Sequence, residues 1–273
     1  MATQGRRRAL GQHFLRDTSV TEKIADTAIE QARNHQCQAL LEIGPGRGAI
    51  THPILERLAR QSEIQSFLLV ERDQKFAAEW KNHKGPFPFQ VESQDFLEVP
   101  ESRWIQKTPL AVVSNLPYSV GTAIVVKLAE QYPSIPVMVL MFQAEVAKRL
   151  RAEPSTKERG SLSVWIQNRW DVQKLLHVPP RAFLPPPEVD SEVVVLTRRA
   201  EPRIQWGDDP SLEKLWEKLL KACFAQRRKM LRSVVPWRNA LELSGVDGTK
   251  RAEALNWQEW DQLFQAVRKV AQT

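Results

Sequence analysis

Short apolar runs alternate with stretches of helical period through the first two-thirds of the chain. The runs are Ala39–Ile43, Phe67–Val70, Phe89–Val91, Leu110–Val113 and Val137–Phe142. Such alternation predicts a mostly parallel sheet with helices on both faces, because a strand can return parallel to its neighbour only through a crossover. Two further β-rich stretches, Trp170–Val178 and Val189–Thr197, flank "PPRAFLPPP". Prolines at that density exclude a two-residue hairpin and force an extended connection, so the two stretches are expected to close the sheet edge as antiparallel strands.

After about Arg199 the period changes. Leu212, Leu215, Trp216, Leu219, Leu220, Cys223 and Phe224 recur at three- and four-residue steps, and "RAEALNWQEWDQLFQAV" repeats that period. This predicts a small all-helical domain whose Trp and Leu stripe is core. The expected division is therefore 1–199 and 200–273, an α/β domain followed by a helical one.

Composition adds a partner class. The chain has 273 residues, 42% of them hydrophobic, and a net charge of +7 from 39 Lys and Arg against 32 Asp and Glu. The excess matters where it clusters: Arg6-Arg7-Arg8, Lys148-Arg149-Leu150-Arg151, and Arg227-Arg228-Lys229 with Arg232. Clusters of this kind suit an anionic partner, nucleic acid first, although each one alone is equally a solvated face. Two cysteines, Cys37 and Cys223, support neither a disulfide framework nor a zinc site, and the five histidines are scattered without an HxxxH pair. No metal is expected. The longest apolar stretch, Val137–Phe142, is far short of the roughly 20 residues that cross a bilayer. A cytoplasmic location without a membrane partner is expected.

Candidate chemistry sits where the apolar runs stop. "LLEIGPGRGAIT" passes from strand to helix through Gly44, Gly46 and Gly48. Glycines at such a turn let a ligand approach the backbone, and the following helix starts with amides pointing toward it. The GxGxG spacing is neither the GxGxxG of dinucleotide sites nor a Walker loop, which favours a ligand without a pyrophosphate. A purely structural tight turn remains the alternative. The second run ends in Glu71, followed by Arg72, in "VERD". An acid at that strand tip can accept hydrogen bonds from both ribose hydroxyls, or it is a solvated strand end. After the third run comes "SQDFL", where Asp95 can accept from an adenine amino group and Phe96 can lie against the ring. After the fourth comes "SNLPYSVG", which puts Asn115, Leu116, Pro117 and Tyr118 together. The order of these four segments, at the ends of successive strands along one edge, carries more weight than any one of them.

"GQHFLRD", "EIGPGRGAIT", "VERD", "QDF", "NLPYSVGTAI", "VPPRAFLPPPEVDSEVV" and "FAQRRKMLRSV" together resemble the ribosomal RNA adenine N6-dimethyltransferases of the KsgA type, over nearly the whole chain. The resemblance implies a Rossmann-like class I methyltransferase fold and S-adenosylmethionine as cofactor. It implies two adjacent adenosines as target, in the 3′-terminal hairpin loop of small-subunit ribosomal RNA within an immature 30S particle, with the protein a monomer and no DNA partner. Under it, Gln12, His13 and Leu15 belong to a lid within residues 1–17. Gly44 borders the methionine portion of the cofactor, Glu71 the ribose and Asp95 the adenine, with Gly46, Arg72 and Phe96 also among the cofactor-binding residues, while Asn115 touches both cofactor and target. Phe183 sandwiches the target base from the side opposite Tyr118, or else plugs the space between the proline turn and the core. Arg6 to Arg8 and Arg227 to Lys229 hold RNA phosphates. His13 stands where the family often has Asn, and Ser119 where it often has Asn after the tyrosine. Erm-type enzymes, which act on large-subunit RNA, share the nucleotide motifs but usually not "FLPPPEVDS" and "QRRK" in this form. A non-catalytic assembly factor on the same fold is the other alternative.

The Asn-Leu-Pro-Tyr segment has a chemical rationale. An adenine amine is a poor nucleophile because its lone pair is delocalised into the ring. Acceptors on both N–H groups, from the Asn115 side chain and the Leu116 carbonyl, favour a pyramidal nitrogen. Pro117 keeps Leu116 out of the helical region. Tyr118 stacks on the extruded base, a contact worth roughly 1–3 kcal/mol.

Overall fold

A computed structural model describes residues 13–60, 63–131, 133–206 and 209–271. The expected contacts of Arg6, Arg7, Arg8 and Gln12 lie outside the described residues. In chain order the first elements are β1 (Phe14–Leu15), α1 (Thr18–Asn34), β2 (Ala39–Ile43), α2 (Thr51–Leu58), β3 (Ser66–Val70), α3 (Gln74–Asn82) and β4 (Gln90–Glu92). They are followed by α4 (Glu101–Trp104), β5 (Leu110–Asn115), α5 (Gly121–Glu130), β6 (Val137–Gln143), α6 (Ala144–Leu150) and α7 (Ser161–Arg169). Then come β7 (Trp170–Val178), β8 (Phe183–Leu184), β9 (Ser191–Arg198), α8 (Pro210–Phe224), α9 (Leu231–Val234), α10 (Arg238–Ser244) and α11 (Trp257–Ala271).

Seven strands form one sheet in the order β4-β3-β2-β5-β6-β9-β7. Every pair from β4 to β6 is parallel, and β9 runs antiparallel to β6 from Val137↔Thr197 to Gln143↔Ser191. The strand that closes the parallel part is thus β9, with β7 outermost. β2 reads Ala-Leu-Leu-Glu-Ile and is buried at all five positions, as a central parallel strand covered on both faces should be. α1 is capped by Asp17, whose carboxylate accepts from the amides of Ser19 and Val20. It buries Val20, Ile24, Ala25, Ala28, Ile29 and Ala32, a stripe at three- and four-residue steps. These side chains join Leu40, Phe67, Leu69, Ala111, Val113, Val139 and Val193 in one core.

The chain divides into two compact units. The first runs to Ala147 and resumes at Val172–Arg198; the second comprises Lys148–Asp171 and Arg199 onward. The second therefore takes in a stretch that the sequence pattern assigns to the α/β part. Its α7 buries Ser163, Val164, Ile166, Gln167 and Asn168, leaving it no polar stripe from which a helix could be read. Val164 packs with Leu212, Trp216, Leu219, Leu220, Trp260 and Phe264 in the second unit's own core. No helix among the described residues is long and apolar enough to cross a membrane.

Candidate active site

β2 lies between β3 and β5, so strand order reverses there and a crevice opens beyond the carboxyl ends of the strands. A cavity of about 670 Å³ occupies that crevice, within the size range of small-ligand sites. Gly44 follows β2, Glu71 follows β3, Asp95 lies just past β4 and Asn115 ends β5; all four line this cavity. His13, Leu15, Gly46, Arg72, Phe96, Leu116, Pro117 and Tyr118 line it as well.

The glycine turn is shaped by backbone sign. Gly44, Gly46 and Gly48 have φ of +69°, +51° and +82°, a region that L side chains rarely adopt. A Cβ built on Gly44 meets nothing within 4 Å, so the backbone there faces open space. Glu71 holds the turn from behind: its carboxylate accepts from the Gly46 amide at 2.9 Å and the Asp73 amide at 2.7 Å. Trp80 Nε1 donates to the Gly46 carbonyl at 2.9 Å. Glu71 is 5% exposed, and burial raises its pKa while those amides oppose the rise.

Asp95 is held just as firmly. One oxygen accepts from the Leu97 amide at 3.0 Å and the other pairs with Arg72 at 3.2 Å. Arg72 thus lines the cavity beside Asp95 and pairs with it. Phe96 packs on Trp104, with ring centroids 5.2 Å apart. On β5, the Ser114 hydroxyl donates to the Ile43 carbonyl at 2.5 Å, fixing the strand end that carries Asn115 against β2. The Leu116 amide donates to the Met141 carbonyl at 3.2 Å. The Tyr118 hydroxyl shares a 2.7 Å hydrogen bond with Ser191 Oγ, and burial raises its pKa. The antiparallel pair β1–β8 brings His13 to the same place. Its Nδ1 lies 2.9 Å from the Pro185 carbonyl, and its ring stacks on Tyr118 at a centroid distance of 5.7 Å.

Two expected contacts have surroundings that the sequence does not show. Phe183 is 1% exposed, packs in the core with Leu15, Val178 and Val193, and is not on the cavity wall. It anchors β8, and the ring over Tyr118 in this structure is His13 instead. In the second unit, Arg227 is engaged internally: Nη2 donates to the carbonyls of Lys157 at 2.6 Å and Arg159 at 3.0 Å and contacts Glu253 at 3.3 Å. Arg228 and Lys229 are exposed in the same turn, between α8 and α9.

Glu42 is a site residue that sequence reasoning passed over, although a carboxylate inside an apolar strand was a visible signal. It is 2% exposed and lines the cavity, and its Oε2 has no hydrogen-bond partner. Burial pushes its pKa from an ordinary 4.5 up to about 8, with the neighbouring Glu71 adding to the rise. The folded state therefore binds a proton that the unfolded chain releases between about pH 4.5 and 8, and stability falls as pH rises through that window. Glu42→Gln, which stays neutral, should gain stability over the parent progressively across it, by on the order of 4 kcal/mol at pH 8. Ligand-free thermal melts from pH 5 to 8.5 check this, and parallel curves for the two proteins would refute it.

Comparison with known proteins agrees in both sequence and fold. The ribosomal RNA adenine dimethylase family model matches residues 3–269. A ribosomal RNA small subunit methyltransferase A from Leptothrix cholodnii is 38% identical over 268 residues, covering 97% of this chain and 93% of the relative. One from Prosthecochloris aestuarii is 37% identical over 265 residues, covering 97% and 95%. A dimethyladenosine transferase from Plasmodium falciparum superposes with a TM-score of 0.71 at 21% identity, over 95% of this chain and 98% of that one. That likeness concerns the fold, a sheet-and-helix methyltransferase architecture with a helical C-terminal part. With strand-end residues converging on one cavity and a family match along nearly its whole length, the chain belongs to the ribosomal RNA adenine dimethylase family.

Proposed function

We propose that the protein transfers methyl groups to the N6 amines of two adjacent adenosines in the 3′-terminal hairpin loop of small-subunit ribosomal RNA, giving N6,N6-dimethyladenosines while the subunit is still immature. The observation that carries this is the single cavity lined by Gly44, Glu71, Asp95 and Asn115 at the sheet's carboxyl edge. The relatives' names, small subunit methyltransferase A, support the small subunit over the large one as target. The protein acts as a cytoplasmic monomer.

The cavity fits S-adenosylmethionine, the family's cofactor. Open space faces Gly44, and the buried, unpartnered Glu42 oxygen calls for a donor such as the ammonium of an amino acid. Gly44, Gly46 and Glu42 would hold the methionine end, Glu71 the ribose, and Asp95 with Phe96 the adenine. Leu15 on β1 and His13 just before it line the same site. When bound, S-adenosylmethionine supplies a methyl group carried on a positively charged sulfur.

The chain's own residues prepare the acceptor. Asn115 and the Leu116 carbonyl accept from the adenine amino group and turn its lone pair outward. The Tyr118 ring, steadied by Ser191, supports the extruded base; extrusion costs a few kcal/mol, least in a loop already single-stranded. His13 covers Tyr118 in the free protein, so its side chain gives way or becomes the second wall as the base enters. Catalysis is chiefly orientation and electrostatics.

Exposed Arg228 and Lys229 contact RNA phosphates without reading sequence. Replacing both with Ala should lower the slope of log affinity against log salt by roughly 1–2, while Arg227→Ala should act through stability instead. Binding titrations between 50 and 200 mM salt measure it, and an unchanged slope would remove this turn from the RNA footprint. The function itself is tested by incubating the protein with labelled cofactor and undermethylated small subunits, then mapping the modified bases by mass spectrometry. Two neighbouring dimethyladenosines near the 3′ end are expected. Label in large-subunit RNA alone, or none, would overturn the proposal.

A further inference from the structure

Lys127 lies on α5, the helix that opens three residues after Tyr118, within the apolar run "TAIVVKLA". Its Nζ donates to three backbone carbonyls at once: Phe96 at 2.9 Å, Leu97 at 2.9 Å and Val99 at 2.7 Å. A lysine ammonium has three N–H donors, so these carbonyls satisfy it completely, and no carboxylate pairs with it among the described residues. The Asp95–Val99 turn is wound so that this is possible. Asp95 receives the amides of Leu97, through its side chain, and of Glu98 and Val99, through its carbonyl. Inward-facing amides of the turn are thereby used, and its later carbonyls converge on one cation. The ammonium also stands 5.2 Å from the Phe96 ring centroid.

From this geometry we infer that Lys127 is a positioning residue for recognition of the cofactor's base. It does not line the cavity. It acts through the turn, fixing where the Asp95 carboxylate and Phe96 ring stand and fastening both to the helix that follows the acceptor loop. Without the cation, three converging carbonyl oxygens lose their shared donor in a part-buried place, and the turn rotates to rehydrate them. Asp95 then loses its aim. The inference rests on the proposal that Asp95 accepts from the adenine amino group.

The test compares binding of S-adenosylhomocysteine and S-inosylhomocysteine, which differ at the amino group that Asp95 reads, by titration calorimetry. The parent protein should prefer the adenine compound by roughly 100-fold, since a carbonyl in place of the amino group sets two acceptors against each other and removes the donor that the Asp95 carboxylate would meet. In Lys127→Met the preference should shrink at least tenfold, with the loss in the adenine compound and the inosine compound changed less than threefold. Lys127→Arg, which keeps charge and donors, should recover part of the preference. If Lys127→Met proves unfolded by circular dichroism, Lys127→Gln and Lys127→Arg provide the same ratio. Equal weakening of both compounds would show a scaffold residue only and overturn the inference, as would an unchanged ratio. A parent protein without any preference would instead sink the Asp95 assignment, whatever Lys127 does.

Discussion

Asn115→Ala should lower the rate of methyl transfer at saturating cofactor by on the order of 10²–10³, the usual consequence of removing one preorganised polar contact to a reacting group. The strand end that carries Asn115 is fixed without its amide. Ser114 ties β5 to β2 through the Ile43 carbonyl, and the Leu116 amide is bound to Met141. Truncation therefore removes the acceptor and leaves the backbone where it was. Cofactor affinity should fall less than about tenfold, because Glu71, Asp95 and the glycine turn remain. Single-turnover assays on undermethylated small subunits, with cofactor binding measured separately, divide the two effects. A rate within threefold of the parent would remove Asn115 from the chemistry.

Gly48→Ala should have the largest effect on the protein itself. At φ +82° an alanine is strained, and its Cβ would lie 2.5 and 2.7 Å from the Trp80 ring and 2.8 Å from His52. Trp80 cannot step aside freely: it is 5% exposed, bonds the Gly46 carbonyl and packs edge-on against Phe89. Backbone strain of about 1–3 kcal/mol adds to overpacking of about 1–3 kcal/mol. At roughly 2–4 °C per kcal/mol for a chain of this size, Tm should drop by about 5–20 °C. Gly44→Ala is the contrasting substitution, because its Cβ enters open space and meets no neighbour. It should melt nearer the parent yet bind S-adenosylhomocysteine poorly. A Gly48→Ala protein melting within 2 °C of the parent would contradict the account of the turn.

The parallel sheet and its active edge were legible because apolar runs stop where side chains must leave the core. Glu71 and Asn115 stand at those stops, and Gly44 and Asp95 just beyond them, so their order in the chain became their order around a cavity. What could not be read is what depends on packing from distant elements. Phe183 resembles a base-stacking ring in sequence, but pairing of Leu15 with Phe183 turns it into the core. Arg227 looks like its neighbours Arg228 and Lys229, and only the fold brings the Lys157 and Arg159 carbonyls to it. α7 carries no amphipathic period because nearly all of it is covered. Lys127 reads as an ordinary helix lysine until three carbonyls from another loop converge on it.

The interrupted layout of the second unit has a consequence during synthesis. Val164 emerges from the ribosome roughly a hundred residues before Phe264 and Val267, with which it shares a core. At about 5–20 residues per second, its apolar surface waits some 5–20 s for those partners. The α/β unit has all its strands once Arg198 has been made, so it can mature while the earlier segment is still waiting for the last helix.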